Sequence, residues 1–397
     1  MSWEKVKLGE CIDVISGFAF KTKDFCNSGI PIIKIKNVDP PYVSLEDLTY
    51  IPVDLANKIP KYELSYDDIL IAMTGSHINQ WASVVGRVAK VKYKTRSMLN
   101  QRVGKIILKQ NARANLDYIY YFLSKDEVKI ELAAKAGGAA NQANISPADI
   151  KNLEIPLPSL KTQNKIADIL SAYDNLIENN QKQIKLLEEA AQRLYKQWFI
   201  DLRYPGHETT KIVDGIPEGW RKEKLVDLAT VQFGYAFDGS LFNSNGNGTP
   251  IVRIRNIPDG FTNDYTTENA PEEYIINNGD IVVGMDGEFH INSWSGDKSY
   301  LVQRSCCFRP HNPKIKGWLL WAIHDPIKFF EKTVVGATVA HLGKKHIDTI
   351  ELLTGPEKLY EPFQNLFCKR QTLLNQNRKL AESRDRLLPK LMNGEIF

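Results

Sequence analysis

"WEKVKLGECIDVISGFAF", residues 3–20, returns later in the chain as "WRKEKLVDLATVQFGYAF", residues 220–237. Trp3, Lys7, Leu8, Gly17, Ala19 and Phe20 recur as Trp220, Lys224, Leu225, Gly234, Ala236 and Phe237, each 217 positions on. Four more blocks recur in the same order. "GIPIIKIKNV" (29–38) matches "GTPIVRIRNI" (248–257), and "DDILIAMTG" (67–75) matches "GDIVVGMDG" (279–287). "NQRVGKI" (100–106) matches "VQRSCCF" (302–308), and "NISPADIKNLE" (144–154) matches "HLGKKHIDTIE" (341–351). A period of roughly 200 residues is too long for a solenoid. It predicts two copies of one domain, each built from short strands with β-rich patterns and a few short helices.

Each copy ends in a long helical segment. In the first, residues 161–199, Ile166, Leu170, Tyr173, Ile177, Asn180, Ile184, Leu187, Ala191, Leu194 and Trp198 keep a 4-3 spacing, the seam of a coiled coil. In the second, residues 361–392, Leu366, Leu373, Leu380 and Leu387 recur every seven residues and continue Leu359. About 35–38 helical residues span on the order of 50 Å, longer than a small domain is wide. The two helices are therefore expected to pair antiparallel, with Leu187, Leu366, Leu373 and Leu380 in the seam and Asn180 meeting Asn377 near its middle. A seam Asn costs stability but sets register. The fold class expected is α+β: two repeated β-rich domains with short helices, joined by two long helices packed as an antiparallel coiled coil. The boundaries expected are 1–155 for the first domain, 156–200 for the first helix and 201–219 for a linker. The second domain is expected at 220–353 and the second helix at 354–397.

The chain has 397 residues, 43% hydrophobic and 25% charged, with a net charge of +4. These are ordinary values for a globular protein. Any nucleic-acid surface must therefore come from local clustering rather than from overall charge. Five cysteines without a C-x-x-C spacing argue for a reducing compartment and against a disulfide framework or zinc site. No apolar run approaches 18 residues, so a cytoplasmic protein that does not span a membrane is expected.

One stretch points elsewhere. Asp39-Pro40-Pro41-Tyr42 matches the [D/N/S]-P-P-[Y/F] motif of amino-methylating DNA methyltransferases. Such an enzyme also needs a glycine-rich turn between a strand and a helix to seat its cofactor. "SGFAF", "AGGAAN", "NGNGTP" and "VVGMDG" do not fit that context. In the second copy the matching segment is Asn256-Ile257-Pro258-Asp259-Gly260, another turn after a strand. No Walker A, H-E-x-x-H or G-x-S-x-G pattern occurs. A non-catalytic chain is expected. The rival readings are a stand-alone N6-adenine methyltransferase using Asp39–Tyr42 and a coiled-coil scaffold that binds proteins.

Over essentially its whole length the chain resembles the DNA-specificity (S) subunit of a type I restriction–modification system. The carriers are the paired openings and glycine–aromatic turns, the "IPIIKIKNV" and "DDILIAMTG" blocks with their repeats, "NISPADIKNLEIPLPSLKTQNKIADIL" and the terminal "RDRLLPKLMNGEI". The second copy departs from the pattern at "LLTGPEKLYEPFQNLF", which leaves the start of the second helix open. The resemblance implies two target-recognition domains, each reading half of a bipartite double-stranded DNA site, with the paired helices as spacer. It also implies two methyltransferase (M) subunits, which carry S-adenosylmethionine, and motor-nuclease (R) subunits. No cofactor is expected in this chain itself.

Candidate DNA contacts follow. Lys34 and Lys36 match Arg253 and Arg255 at alternate positions, which on one strand would share a face and track phosphates. Gln101-Arg102 matches Gln303-Arg304. These side chains can bond base edges, but because both copies share them they are expected to support the fold or the backbone. Base readers are expected where the copies diverge: His77, Asn79, Gln80 and Arg87 in the first, and His290, Asn292 and Lys298, beside Glu288 and Trp294, in the second.

Overall fold

The apolar run Ile69–Ala72 has no polar alternation, which suits a strand covered on both faces. The computed structural model describes residues 3–75, 85–137, 143–333 and 340–396, and in it all four side chains of this strand are buried. Ile69 and Ile71 point into one apolar cluster with the helix Leu116–Leu123, while Leu70 and Ala72 point into another beneath Val38, Val43 and Leu99. The second copy repeats this at Ile281–Gly284, with Ile281 and Val283 on one face and Val282 on the other.

The chain divides into two compact units, Met1–Asp174 with Ser383–Phe397, and Asn175–Glu382. In the first, a six-stranded sheet runs in the order Ile12–Ser16, Val103–Leu108, Ile69–Ala72, Val88–Lys90, Tyr42–Val43, Val38–Asp39. A smaller sheet places Ile30–Ile33 between Met98–Leu99, to which it is parallel, and Thr49–Ile51. In the second unit, the strands Ala229–Phe233, Ser305–Pro310, Ile281–Gly284 and Ile291–Ser293 form a sheet in that order. Thr249–Val252 lies parallel to Ser299–Leu301. The registers match across the repeat: Ile32 faces Met98 as Ile251 faces Tyr300.

The helix Leu116–Leu123 starts where Asn115 Oδ1 accepts the Tyr118 amide at 2.9 Å, a side-chain cap. Residues 118–123 are all buried, as expected of a helix that is apolar on every side. Its counterpart is Lys316–Ala322, where six of the seven residues are buried.

The first long helix is Leu160–Tyr195, extended by a wider turn over Lys196–Ile200. It begins four residues later than expected, because Glu154–Pro156 is a strand paired with Lys5–Lys7 and the prolines cannot enter a helix interior. Ser159 Oγ then accepts the Thr162 amide. The second long helix is Glu361–Met392, not 354 onward. Glu351–Thr354 pairs with Arg221–Lys224, and a short 3-10 turn, Glu357–Leu359, precedes the helix.

The two helices pair antiparallel. In the second unit, Glu188 binds Arg370 at 2.7 Å, and about two turns earlier in the first helix Asn180 binds Asn377, later in the second. In the first unit, Asp174 binds Arg384 at 2.7 Å.

Candidate nucleic-acid interface

Both copies build the same exposed turn from backbone contacts. In the first, the chain leaves Met98–Leu99, turns at Gln101 and Arg102, and returns as Val103–Leu108. The "GFAF" loop clamps the turn: the Phe18 amide donates to the Leu99 carbonyl and the Gln101 amide to the Phe18 carbonyl, both at 2.9 Å. Gly17 lies so close that a Cβ there would sit 2.3 Å from the Asn100 oxygen. In the second copy, the Tyr235 amide donates to Leu301 and the Gln303 amide to Tyr235, both at 2.8 Å, and a Cβ on Gly234 would meet the Val302 oxygen at 2.0 Å. The recurrent glycine therefore permits close approach of two backbones.

Arg102 is exposed, with Nη1 3.4 Å from the Asn144 side-chain oxygen, which also accepts from Thr74 Oγ1 at 2.8 Å. Arg304 is 68% exposed and binds Asp286 at 2.9 Å, and the other oxygen of Asp286 lies 2.5 Å from His341 Nδ1. Thr74 and Asn144 face each other across a strand pair, as Asp286 and His341 face each other across a bridge.

The cations Lys34, Lys36, Arg253 and Arg255 are not on a strand, which corrects the expectation of a shared strand face. Ile30–Ile33 and Thr249–Val252 end first, and Lys34 and Arg253 start short 3-10 turns. The cause is Asn37, whose Oδ1 accepts the Lys34 amide at 3.1 Å, and Asn256, whose Oδ1 accepts the Arg253 amide at 2.9 Å. This is the local side-chain bonding that competes with a strand ladder. The side chains are also engaged. Lys34 lies over the Phe25 ring at 4.6 Å and Arg253 over the matching Phe242 at 5.3 Å. Lys36 pairs with Asp47 at 3.6 Å, while Arg253 and Arg255 both clamp Asp264, at 2.7 and 2.8 Å. Burial, helped by the Lys36 charge, lowers the Lys34 pKa. At Asp264 burial raises the pKa, but hydrogen bonds from Arg253, Arg255 and Asn256 outweigh it and the net shift is downward.

The divergent stretches hold their residues differently. Arg87 lies 3.7 Å from Asp39. His290 is half-buried beside Glu288, and Lys298 is exposed. Asn292 is corrected outright: it is buried on the strand Ile291–Ser293 beneath the second long helix. Its amide nitrogen donates to the Ile257 and Pro258 carbonyls, and its oxygen accepts from Arg370 at 2.7 Å and from the Ser293 amide. No bonding capacity remains for a base. Trp294 beside it is equally buried. His77, Asn79 and Gln80 lie outside the described residues.

Asp39 and Tyr42 pair as the ends of a two-residue hairpin with Pro40-Pro41 at its tip and a cis peptide between the prolines. Tyr42 Oη donates to the Asp174 carbonyl at 3.2 Å. Among the described residues no group of three or more His, Cys, Asp or Glu is placed to hold a metal ion, and no helix is long and apolar enough to cross a membrane.

In the helix seam Leu187, Leu366, Leu373 and Leu380 are half-buried. Within the second unit the fully buried stripe of the second helix is instead Phe363, Phe367, Arg370 and Gln371. Arg370 binds Glu188, Ser293 Oγ and Asn292, and Gln371 binds Ser293 Oγ and the Trp294 carbonyl. Apolar spacing gave no sign of these two polar residues, nor did the repeat single out Asp286 and His341.

Comparison with known proteins gives a consistent result. The "Type I restriction modification DNA specificity domain" family matches residues 1–189 and 217–356. The "Type I restriction enzyme MjaIX specificity subunit" of Methanocaldococcus jannaschii is 26% identical, over 99% of this chain and 93% of its own length. A putative MjaX specificity subunit of the same organism is 25% identical, over 98% of this chain and 92% of its own. The crystal structure of a type I restriction–modification S subunit from M. genitalium superposes with a TM-score of 0.57 at 18% identity, covering 98% of this chain and 96% of that one, and so shares the fold.

Proposed function

Since the chain belongs to the type I restriction modification DNA specificity family, we propose that it is a non-catalytic subunit that binds a bipartite site on double-stranded DNA. Each repeated domain contacts one half-site, and the paired helices set the spacing between them, as a rigid spacer sets half-site separation in other two-fold DNA binders. The observation that carries this reading is the duplicated turn at Gln101–Arg102 and Gln303–Arg304. It presents an exposed arginine on a backbone-clamped frame once in each copy. Phosphate contacts come from Lys34, Lys36, Arg253 and Arg255, which are held by aromatic rings and carboxylates yet keep exposed surface. Arg87, His290 and Lys298, with His77, Asn79 and Gln80, are further candidates.

The chemistry is assigned to partners. Two methyltransferase (M) subunits carrying S-adenosylmethionine and motor-nuclease (R) subunits dock on this chain in the cytoplasm. The stand-alone methyltransferase reading is disfavoured by Tyr42, whose hydroxyl is engaged by a helix carbonyl, and by the hairpin that closes Asp39 against it. The decisive test is methylation-site sequencing of DNA exposed to the chain with its M subunit. A bipartite methylated motif is expected. Methylation by the isolated chain, or no motif with the M subunit present, overturns the proposal.

A further inference from the structure

Arg102 and Arg304 occupy equivalent positions, yet among the described residues the side chains that hold them differ. The first copy offers Thr74 and Asn144, both neutral, and the second offers Asp286 and His341. A residue retained for one packing arrangement keeps the partners of that arrangement. Here the arginine persists while both partners change. Nor is it retained for burial, since Arg102 is exposed and Arg304 is 68% exposed. Arg304 also holds a left-handed backbone, φ 67°, where a non-glycine residue is uncommon and costly.

We infer, resting on the DNA-specificity reading above, that Arg102 and Arg304 each read a base edge, and that the exchange of Thr74–Asn144 for Asp286–His341 makes the two copies read differently. A guanidinium carries five donors in a planar fork. Asp286, only 18% exposed, engages Nη1 of Arg304, whose side chain remains 68% exposed. A charge-assisted bond to a mostly buried carboxylate orients the fork, and an oriented fork matches the two acceptors of guanine in the major groove. His341, 57% exposed on the same carboxylate, adds a ring to that edge of the cluster. In the first copy the Asn144 oxygen is shared between Thr74 and Arg102, so Arg102 is held by a longer, neutral contact that orients its fork less firmly. The two clusters thus present different polar groups from one scaffold.

The test compares the full chain, together with its methyltransferase partner, with R304K and with the transplant D286T/H341N. Each is selected against a pool of random-sequence duplexes. Lysine keeps the charge but loses the fork. R304K is expected to lower the preference for one base at one position of one half-site by roughly 5- to 150-fold, with total DNA binding retained. D286T/H341N is expected to change the preference at that same position and to leave the other half-site untouched. Unchanged preferences in both variants, or an equal loss on every sequence, overturn the inference while wild-type specificity stands. A wild type with no sequence preference in either half overturns the specificity reading and this inference with it.

Discussion

Asn180 donates its side-chain amide to the Asn377 side-chain oxygen at 2.9 Å, joining the two long helices. The Asn377 nitrogen in turn lies 3.5 Å from the Ile177 carbonyl. Each asparagine stands 197 residues from the other, at matching places in the two copies of the helix. A polar pair inside a helix seam sets register at a cost in stability.

Asn377→Leu alone strands the Asn180 amide in the seam and is expected to destabilise the chain by about 1–2 kcal/mol. The double change N180L/N377L removes both polar groups. It is expected to raise the unfolding midpoint but to admit other helix pairings, seen as self-association in light scattering. A double variant that stays monomeric with one helix register would remove the register role.

Arg370 is the polar centre of the second unit, bound to Glu188, Ser293 and Asn292. Arg370→Ala takes the cation from Glu188, which is 32% exposed, and one charge-assisted bond each from Ser293 and Asn292, which costs about 1–3 kcal/mol. Denaturant unfolding, followed by the fluorescence of the buried Trp294, should show an early transition. A loss under about 1 kcal/mol would place the network on the dispensable side.

Acid should loosen the Asp264 clamp. Its carboxyl titrates below the ordinary value of 3.8, because the bonds from Arg253, Arg255 and Asn256 outweigh the opposing effect of burial. A depressed folded pKa contributes stability that is complete above the unfolded value and is lost as pH falls through the folded one. Asp264→Asn should therefore be less stable than the wild type at neutral pH, with the difference shrinking below about pH 4. Urea midpoints measured from pH 3 to pH 7 would show parallel curves if the clamp carries no such linkage.

Gly234→Ala inserts a methyl group 2.0 Å from the Val302 oxygen, an overlap that only backbone movement relieves. Overpacking of this kind costs about 1–3 kcal/mol. Hydrogen exchange at the Tyr235 and Gln303 amides should accelerate, and DNA binding should fall with it. Protected amides in the variant would mean that the loop tolerates the shift.

The duplication was legible because glycine, tryptophan and apolar spacings are imposed by backbone geometry and core packing, which both copies must satisfy. The buried run Ile69–Ala72 and the long helices were legible for the same reason. Where the strand at residue 33 ends was not, since I-x-I-x spacing continues through Lys36 while one side-chain bond from Asn37 turns the chain. Asn292 was misread because its burial is tertiary: an Arg-bearing helix from far along the sequence covers it. The Leu heptads located the second helix. Its buried face lies toward Phe363, Phe367 and Arg370 because that helix must also pack on the strand at Ile291–Ser293.

The clamp between the "GFAF" loop and the Gln101–Arg102 turn uses only main-chain donors and acceptors and one glycine. Side chains at 18, 101 and 102 can therefore change without breaking the bonds that hold the turn. Such a frame lets binding preference drift under mutation at little cost to folding, and a duplicated frame lets one half drift while the other is held.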